Sequence, residues 1–302
     1  MSPTLSVVIV SYRSRAVLDS CLRSLAGVHA RVPHETIVVD NGSGDGAPEW
    51  LCQAWSDVRV IANPENRGFT RGVNQGLAAA TGEALLLLNP DCQVTEAGLE
   101  RLLQVLSLDP RLAAVAPMLM DERGQPVRSC GRFPTLWSLA CEHLGLARRF
   151  PGSAWLSGYK YGDRAIESLD RVGWCSGAAL LIARDAYELL GGLDEKIFMY
   201  MEEVDWCRRA HLAGLAVRFV PSARFVHSGQ HASRQAAEAT YLHNLRSRVY
   251  YVRKHHGAFE AGVMKSILAA SLIGKWALTR SGVSRAGEPR IYARGLETVW
   301  AA

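Results

Sequence analysis

An α/β fold, with a mostly parallel sheet flanked by helices, is predicted by three observations. Residues 84–94 read Ala-Leu-Leu-Leu-Leu-Asn-Pro-Asp-Cys-Gln-Val, and four consecutive leucines of strand length mark a strand buried on both faces. Apolar strand-length runs alternate with helically spaced segments as far as residue 117. The turns between them are short, as βαβ units require. With 302 residues, 48% of them apolar, the chain can bury an ample core.

Each element has its own signal. Residues 5–12 are a first buried strand, and Ser14 caps a helix in which Val17, Leu18, Leu22 and Leu25 recur at helical spacing. A second strand, 35–40, ends in Asn41-Gly42-Ser43-Gly44-Asp45-Gly46; a short helix over 48–55 leads to a third strand, 58–62. Asn66-Arg67-Gly68-Phe69 opens a helix to residue 80, and the leucine strand follows. A helix over 96–108 and a strand over 112–117 continue the alternation. It breaks at 121–171, which reads as irregular with one helix over 136–146, the kind of insertion that forms a substrate-binding flap. Order returns at 172–182, then a short helix ending at Gly191-Gly192, a run over 198–209 entering a helix that stops near Gly214, and strands at 217–220 and 225–227. Helices over 235–254 and 259–278 close the chain. Two domains are expected: 1–235, and a basic helical C-terminal extension, 236–302.

Charge supports that division. The net charge is +5, yet residues 221–302 hold 12 Lys and Arg against 4 acids, while the preceding part holds 22 against 25. A basic tail implies an anionic partner or a solvated helix face. The seven cysteines form no C-x-x-C pair, and no charged leader or apolar stretch of ~18 residues is read, so a reduced cytoplasmic setting is expected.

Four places could carry chemistry. Asp91, at the carboxyl end of the leucine strand, offers a hard oxygen ligand to Mg2+ or Mn2+, though Asn-Pro-Asp also simply ends strands. Asp40 ends the second strand where a base or ribose could hydrogen-bond, or where an Asx turn could close the strand. Glu202, Glu203 and Asp205 form the densest acidic cluster; repulsion among them suits a general base or a metal site, whereas a helix N-terminus or a salt bridge to Arg208 or Arg209 would also explain them. His227 ends an apolar strand as a metal ligand or a structural imidazole, with His231 as its alternative. Gly42, Gly44 and Gly46 follow the second strand, not the first, and no G-x-x-x-x-G-K is present, which excludes dinucleotide binding and a P-loop ATPase.

Taken in order, Val7-Val8-Ile9-Val10-Ser11-Tyr12, Val38-Val39-Asp40-Asn41-Gly42-Ser43, Asn66-Arg67-Gly68-Phe69 with Asn74 and Gly76, Leu87-Leu88-Asn89-Pro90-Asp91, Ser176-Gly177-Ala178 and Phe198-Met199-Tyr200-Met201-Glu202-Glu203-Val204-Asp205 resemble the inverting glycosyltransferases of family 2, and among them the bacterial rhamnosyltransferases. The resemblance covers residues 5 to about 256 and implies the GT-A fold. It implies a nucleotide pocket of Ser11, Tyr12, Asp40, Asn66, Arg67, Gly68, Asn74 and Asn89, and a divalent cation, Mg2+ or Mn2+, on Asp91 and His227. Glu203, Glu202 or Asp205 would supply the base. Asn89 replaces the first Asp of the family's D-x-D motif, and Glu203 stands where relatives carry Asp. The implied partners are a dTDP- or UDP-linked sugar, dTDP-rhamnose first, and a glycan or lipid-linked glycan acceptor in bacterial polysaccharide or cell-wall synthesis. Peripheral association with the inner face of the membrane and a homodimer are compatible with it; nucleic acid is not, because the basic tail lacks an aromatic stacking platform. A nucleotidyltransferase would need a Gly/Lys-rich loop after the first strand, and a non-catalytic sugar-nucleotide-binding protein could dispense with the acids at 202–205.

Overall fold

The computed structural model describes residues 5–150, 152–153, 155–160, 171–229, 237–280 and 289–302. His231 and the expected domain boundary at 235/236 lie outside the described residues. In chain order the elements are β1 (Leu5–Ser11), α1 (Arg15–Val28), β2 (His34–Asn41), α2 (Ala47–Ala54), β3 (Val58–Asn63), α3 (Phe69–Ala79), β4 (Ala84–Leu88), β5 (Cys92–Gln93), α4 (Glu96–Leu108), β6 (Leu112–Met120), β7 (Cys130–Gly131), α5 (Leu136–His143), α6 (Leu146–Arg149), β8 (Arg171–Val172), β9 (Trp174–Cys175), β10 (Ala179–Ala183), α7 (Arg184–Leu190), α8 (Glu202–Leu212), β11 (Ala216–His227), α9 (Ala237–His255), α10 (Ala258–Arg280) and α11 (Pro289–Ala301).

The chain divides into two units, one of Met1–Gly131, Ala165–Phe198 and Glu202–Gln235, the other of Arg132–Arg164, Met199–Met201 and Ala236–Ala302. The first is built on a mixed sheet in the order β3-β2-β1-β4-β10-β6-β11-β5, with β8 also on β11, and a β7–β9 pair. β1 runs parallel to both β2 and β4, and β10 is antiparallel to β4 and β6. All seven residues of β1 and all five of β4 are buried, which is why both read as unbroken apolar runs. The chain winds outward from β1 through β2 to β3 and then returns to the other side of β1 as β4. Strand order therefore reverses between β1 and β4, and the carboxyl ends there border the crevice in which α/β sheets bind ligands.

Four readings are corrected here. The strands at 217–220 and 225–227 are one strand, β11, whose register on β6 shifts between Val220 and Arg224. The helix over 136–146 breaks at Gly145 (φ 75°) into α5 and α6. Helix α11 adds to the two helices read for the extension; a side chain at its Gly295 would meet Leu245 and Leu272 at 3.2–3.3 Å, so glycine lets the helix approach its neighbours closely. Finally, α10 is long and apolar enough to cross a membrane by length and composition, with a mean hydropathy of 1.3 over its best window. Lys265 and Lys275 interrupt its apolar runs without lowering that mean below a span's.

Candidate active site

At the β1/β2 end the two strands put Ser11 directly opposite Asp40. Asp40 is 2% exposed, and its Oδ2 accepts the Ser43 N–H at 3.1 Å. That is the Asx turn weighed above, and it uses only one oxygen. Asp40 Oδ1 and Ser11 Oγ are buried with no hydrogen-bond partner. A buried acceptor left this way costs about 1–3 kcal/mol, so a ligand N–H or O–H that reaches it gains that much. Ser43 Oγ accepts the Arg13 N–H at 2.9 Å and holds Arg13 at φ 52°, turning the chain out of β1 beside the half-buried Tyr12.

Asn41, one residue further, organises the neighbouring loop. Its amide N–H group donates to Asn66 Oδ1 and Gly68 O, both at 3.0 Å, and its oxygen accepts from Asn63 Nδ2 and the Arg67 N–H at 3.2 Å. Asn66 Oδ1 also accepts the Gly68 N–H at 2.9 Å. Gly42 (φ 72°) is needed because a Cβ there would lie 2.5 Å from the Glu65 backbone. Asn66 and Arg67 are exposed at this rim, and buried Gly68 (φ 92°) starts α3 against the Phe198 ring. Sequence reasoning passed over Asn41; the sign of it was a second short amide at the strand end, before a glycine.

Asn74 Nδ2 donates to Leu193 O at 2.9 Å and its Oδ1 accepts the Leu193 N–H at 2.8 Å, so this amide ties α3 to the chain after Gly192.

At the end of β4, Asn89 donates its N–H to Ala178 O at 2.9 Å and accepts the Cys92 N–H at 3.0 Å, closing a tight turn over Pro90-Asp91. β5 then pairs antiparallel with the end of β11, Cys92 opposite His227. The pairing sets His227 Nε2 3.2 Å from Asp91 Oδ1. The Ser228 N–H and hydroxyl both donate to Asp91 O, fixing the turn. Asp91, Cys92 and His227 each offer a ligand atom within 4.8 Å of the others. Cys92 is an unsuitable ligand: burial, then the Asp91 charge, push its thiol well above the ordinary range, and Sγ donates to Ala178 O at 3.3 Å. One carboxylate and one imidazole remain, a donor pair that fits Mg2+ or Mn2+ completed by phosphate or water oxygens.

The acidic cluster resolves into three different residues. Asp205 is fully buried and bound to Arg209 Nε at 3.0 Å, while the other guanidinium nitrogens donate to Leu190 O and Gly192 O at 2.6 Å. Asp205 therefore anchors the Arg209 guanidinium, one of the two salt bridges weighed for it. Glu202 is 6% exposed with Oε2 unpartnered, and burial, then the Glu203 charge, hold its acid well above the usual carboxylate range. Glu203 packs against Gly177, where an added Cβ would lie 3.7 Å from its own. The chain enters α8 through two consecutive left-handed residues, Tyr200 (φ 64°) and Met201 (φ 71°), a strained approach of the kind found at functional sites. The Ser176-Gly177-Ala178 segment thus touches Glu203 through Gly177 and holds the Asn89 turn through Ala178. One short segment thus neighbours both the acidic helix start and the turn that carries Asp91.

The Glycosyl transferase family 2 profile matches residues 6–151. The N-acetylglucosaminyl-diphospho-decaprenol L-rhamnosyltransferase of Mycobacterium tuberculosis is 30% identical over 297 residues, 94% of this chain and 96% of that protein. The rhamnosyltransferase WbbL of Escherichia coli K12 is 23% identical over 257 residues, 82% and 92% of the two chains. Among solved structures, a mannosyltransferase from Pyrobaculum calidifontis in complex with GDP-Man and Mn2+ superposes with a TM-score of 0.58 at 15% identity, covering 100% of this chain and 86% of that one. The fold is of the GT-A type, and near-complete coverage at 30% identity settles the lineage: this chain is an enzyme belonging to glycosyltransferase family 2.

Proposed function

We propose that the enzyme transfers a sugar, rhamnose from dTDP-rhamnose first among the candidates, onto a hydroxyl of a glycan or lipid-linked glycan, with inversion. What supports this reading is the Ser176-Gly177-Ala178 segment, which neighbours Glu203 at Gly177 and holds the Asn89 turn before Asp91 at Ala178, together with the Asp91–His227 pair. A held leaving group and a base suit a single displacement, which needs no protein nucleophile. The rhamnosyl donor and a prenyl-diphosphate-linked acceptor are favoured by the full-length similarity to the mycobacterial L-rhamnosyltransferase.

In this reading Asp40 Oδ1 and Ser11 Oγ accept or donate to the nucleobase, and Asn41 holds the Asn66-Arg67-Gly68 rim around it. Asp91 and His227 hold a divalent cation which, when bound, neutralises charge on the departing diphosphate. Glu203 takes the proton of the attacking hydroxyl, a contribution of ~10²–10⁴-fold for a placed base. Glu202, kept protonated by its surroundings, lends Glu203 a neutral neighbour and avoids a second buried charge.

Turnover and binding of dTDP-rhamnose, UDP-galactofuranose and UDP-hexoses, measured with and without a prenyl-diphosphate sugar acceptor, test the proposal. Acceptor-dependent release of dTDP is expected from dTDP-rhamnose. Preference for another donor would retain the chemistry and replace the sugar; tight donor binding without turnover on any acceptor would make the protein a sugar-nucleotide sensor.

A further inference from the structure

The second unit carries nine of the twelve large apolar side chains exposed among the described residues. Phe150 and Trp155 of the insertion and Ile273, Trp276 and Leu278 of α10 are 37–81% exposed. The insertion and α10 are joined: Ser271 Oγ donates to His143 O at 3.1 Å, and the Trp137 indole N–H donates to Trp155 O at 2.9 Å. α10 turns Met264, Leu268 and Leu272 inward, so part of its apolar surface is core. Yet only 28% of its most apolar window is buried.

Cations are gathered where these segments meet. Arg248 is bound by Glu142 at 3.1 Å and Asn244 at 2.7 Å and lies 3.2 Å from His143 Nε2. Burial, then Arg248 and Lys275, lower the His143 imidazole to about 3, so it stays neutral. Lys275 is half-buried, its amine lowered by burial and then by Arg148 and Arg248. Neither Arg148 nor Lys275 forms an ion pair with another described residue, so Glu142 is the one acid paired within a cluster of three cations. Two neighbouring aromatic rings carry guanidinium groups, Arg149 on Phe150 at 5.4 Å and Arg280 on Trp276 at 4.9 Å. Aromatic side chains with basic residues beside them are what the lipid headgroup layer selects.

We propose that this face of the second unit docks on an anionic phospholipid bilayer, with Arg148 and Lys275 taking lipid phosphates and Phe150, Trp155 and Trp276 entering the interface. A second copy of the chain fits less well, since a two-fold contact through this patch would bring its unpaired cations against one another. The proposal does not depend on which sugar is transferred or whether transfer occurs, because it is read by binding alone.

The test is co-sedimentation of the full-length protein with vesicles of phosphatidylcholine, with or without phosphatidylglycerol. Binding should require phosphatidylglycerol and fall with salt. Arg148→Gln with Lys275→Gln should weaken it roughly 30-fold, as expected from two cations at an anionic surface. Arg31→Gln with Arg123→Gln, the same charge change on the first unit, should weaken it far less. Brominated lipids should quench tryptophan fluorescence in the wild type, and Trp155→Ser with Trp276→Ser should remove much of that quenching; the wild-type quenching needs no variant to fold. Equal loss in both charge pairs, absence of quenching, or binding that salt does not reverse (a spanning α10) would overturn the proposal. So would a lipid-free dimer, seen by sedimentation velocity, that Trp276→Ser dissociates.

Discussion

Glu202→Gln separates the two adjacent glutamates by stability and by rate. Glu202 is 6% exposed, and burial followed by the Glu203 charge raises its acid well above the ordinary 4.5. The folded protein therefore holds this proton more tightly than the unfolded chain. Folding stability should fall as pH rises from about 4.5 towards the folded value, by ~1.4 kcal/mol per pH unit for one proton. Gln matches the protonated acid in shape and does not titrate. The variant should lose this slope and become more stable than the wild type as pH rises through that window. Urea midpoints collected between about pH 5 and pH 8 report the difference directly. Parallel wild-type and variant slopes would refute the argument, because they would mean that Glu202 ionises as easily in the fold as in the chain. Rates complete the test: Glu203→Gln should lower kcat by at least ~10²-fold with donor binding retained, and Glu202→Gln by much less. The reverse order would move the base to Glu202; small equal losses would remove both.

Three further outcomes are expected. Asp91→Ala should abolish divalent-dependent transfer and Mn2+ binding by calorimetry with an unchanged circular-dichroism spectrum, while Asn89→Asp should be tolerated and tighten the ion; near-normal, EDTA-sensitive turnover in Asp91→Ala would place the metal elsewhere. Asn41→Ala removes four hydrogen bonds and should cost about 2–4 kcal/mol in urea unfolding and weaken donor binding; unchanged donor affinity would detach the Asn66–Gly68 rim from the nucleotide. Arg209→Leu removes the ion pair made by the buried Asp205 carboxylate and should destabilise the fold by about 3–5 kcal/mol; a loss below ~1 kcal/mol would show that the remaining interactions of Asp205 hold it.

The strands were legible because burial on both faces writes itself as unbroken apolar runs, and their ends could be read from Asp40 and Asn89-Pro90-Asp91. The acids at 202–205 were visible as a group, but three carboxylates within four residues look alike in one dimension. Their environments separate them: the Leu190 and Gly192 carbonyls complete a socket for Arg209 that claims Asp205, burial holds Glu202 protonated, and Glu203 lies beside Gly177. The tie from Asn74 to Leu193 was not legible for a related reason, since an amide's partner 119 residues away leaves no local pattern. The Asp91–His227 contact depends on β5 pairing with β11, a non-local register between segments 135 residues apart that neither segment encodes alone. Likewise, apart from its one helix the insertion reads as irregular because its apolar and cationic side chains lack periodicity. Packing against α10 is what gathers Arg148 and Lys275, since a charge cluster is defined by distances in space rather than by spacing along the chain.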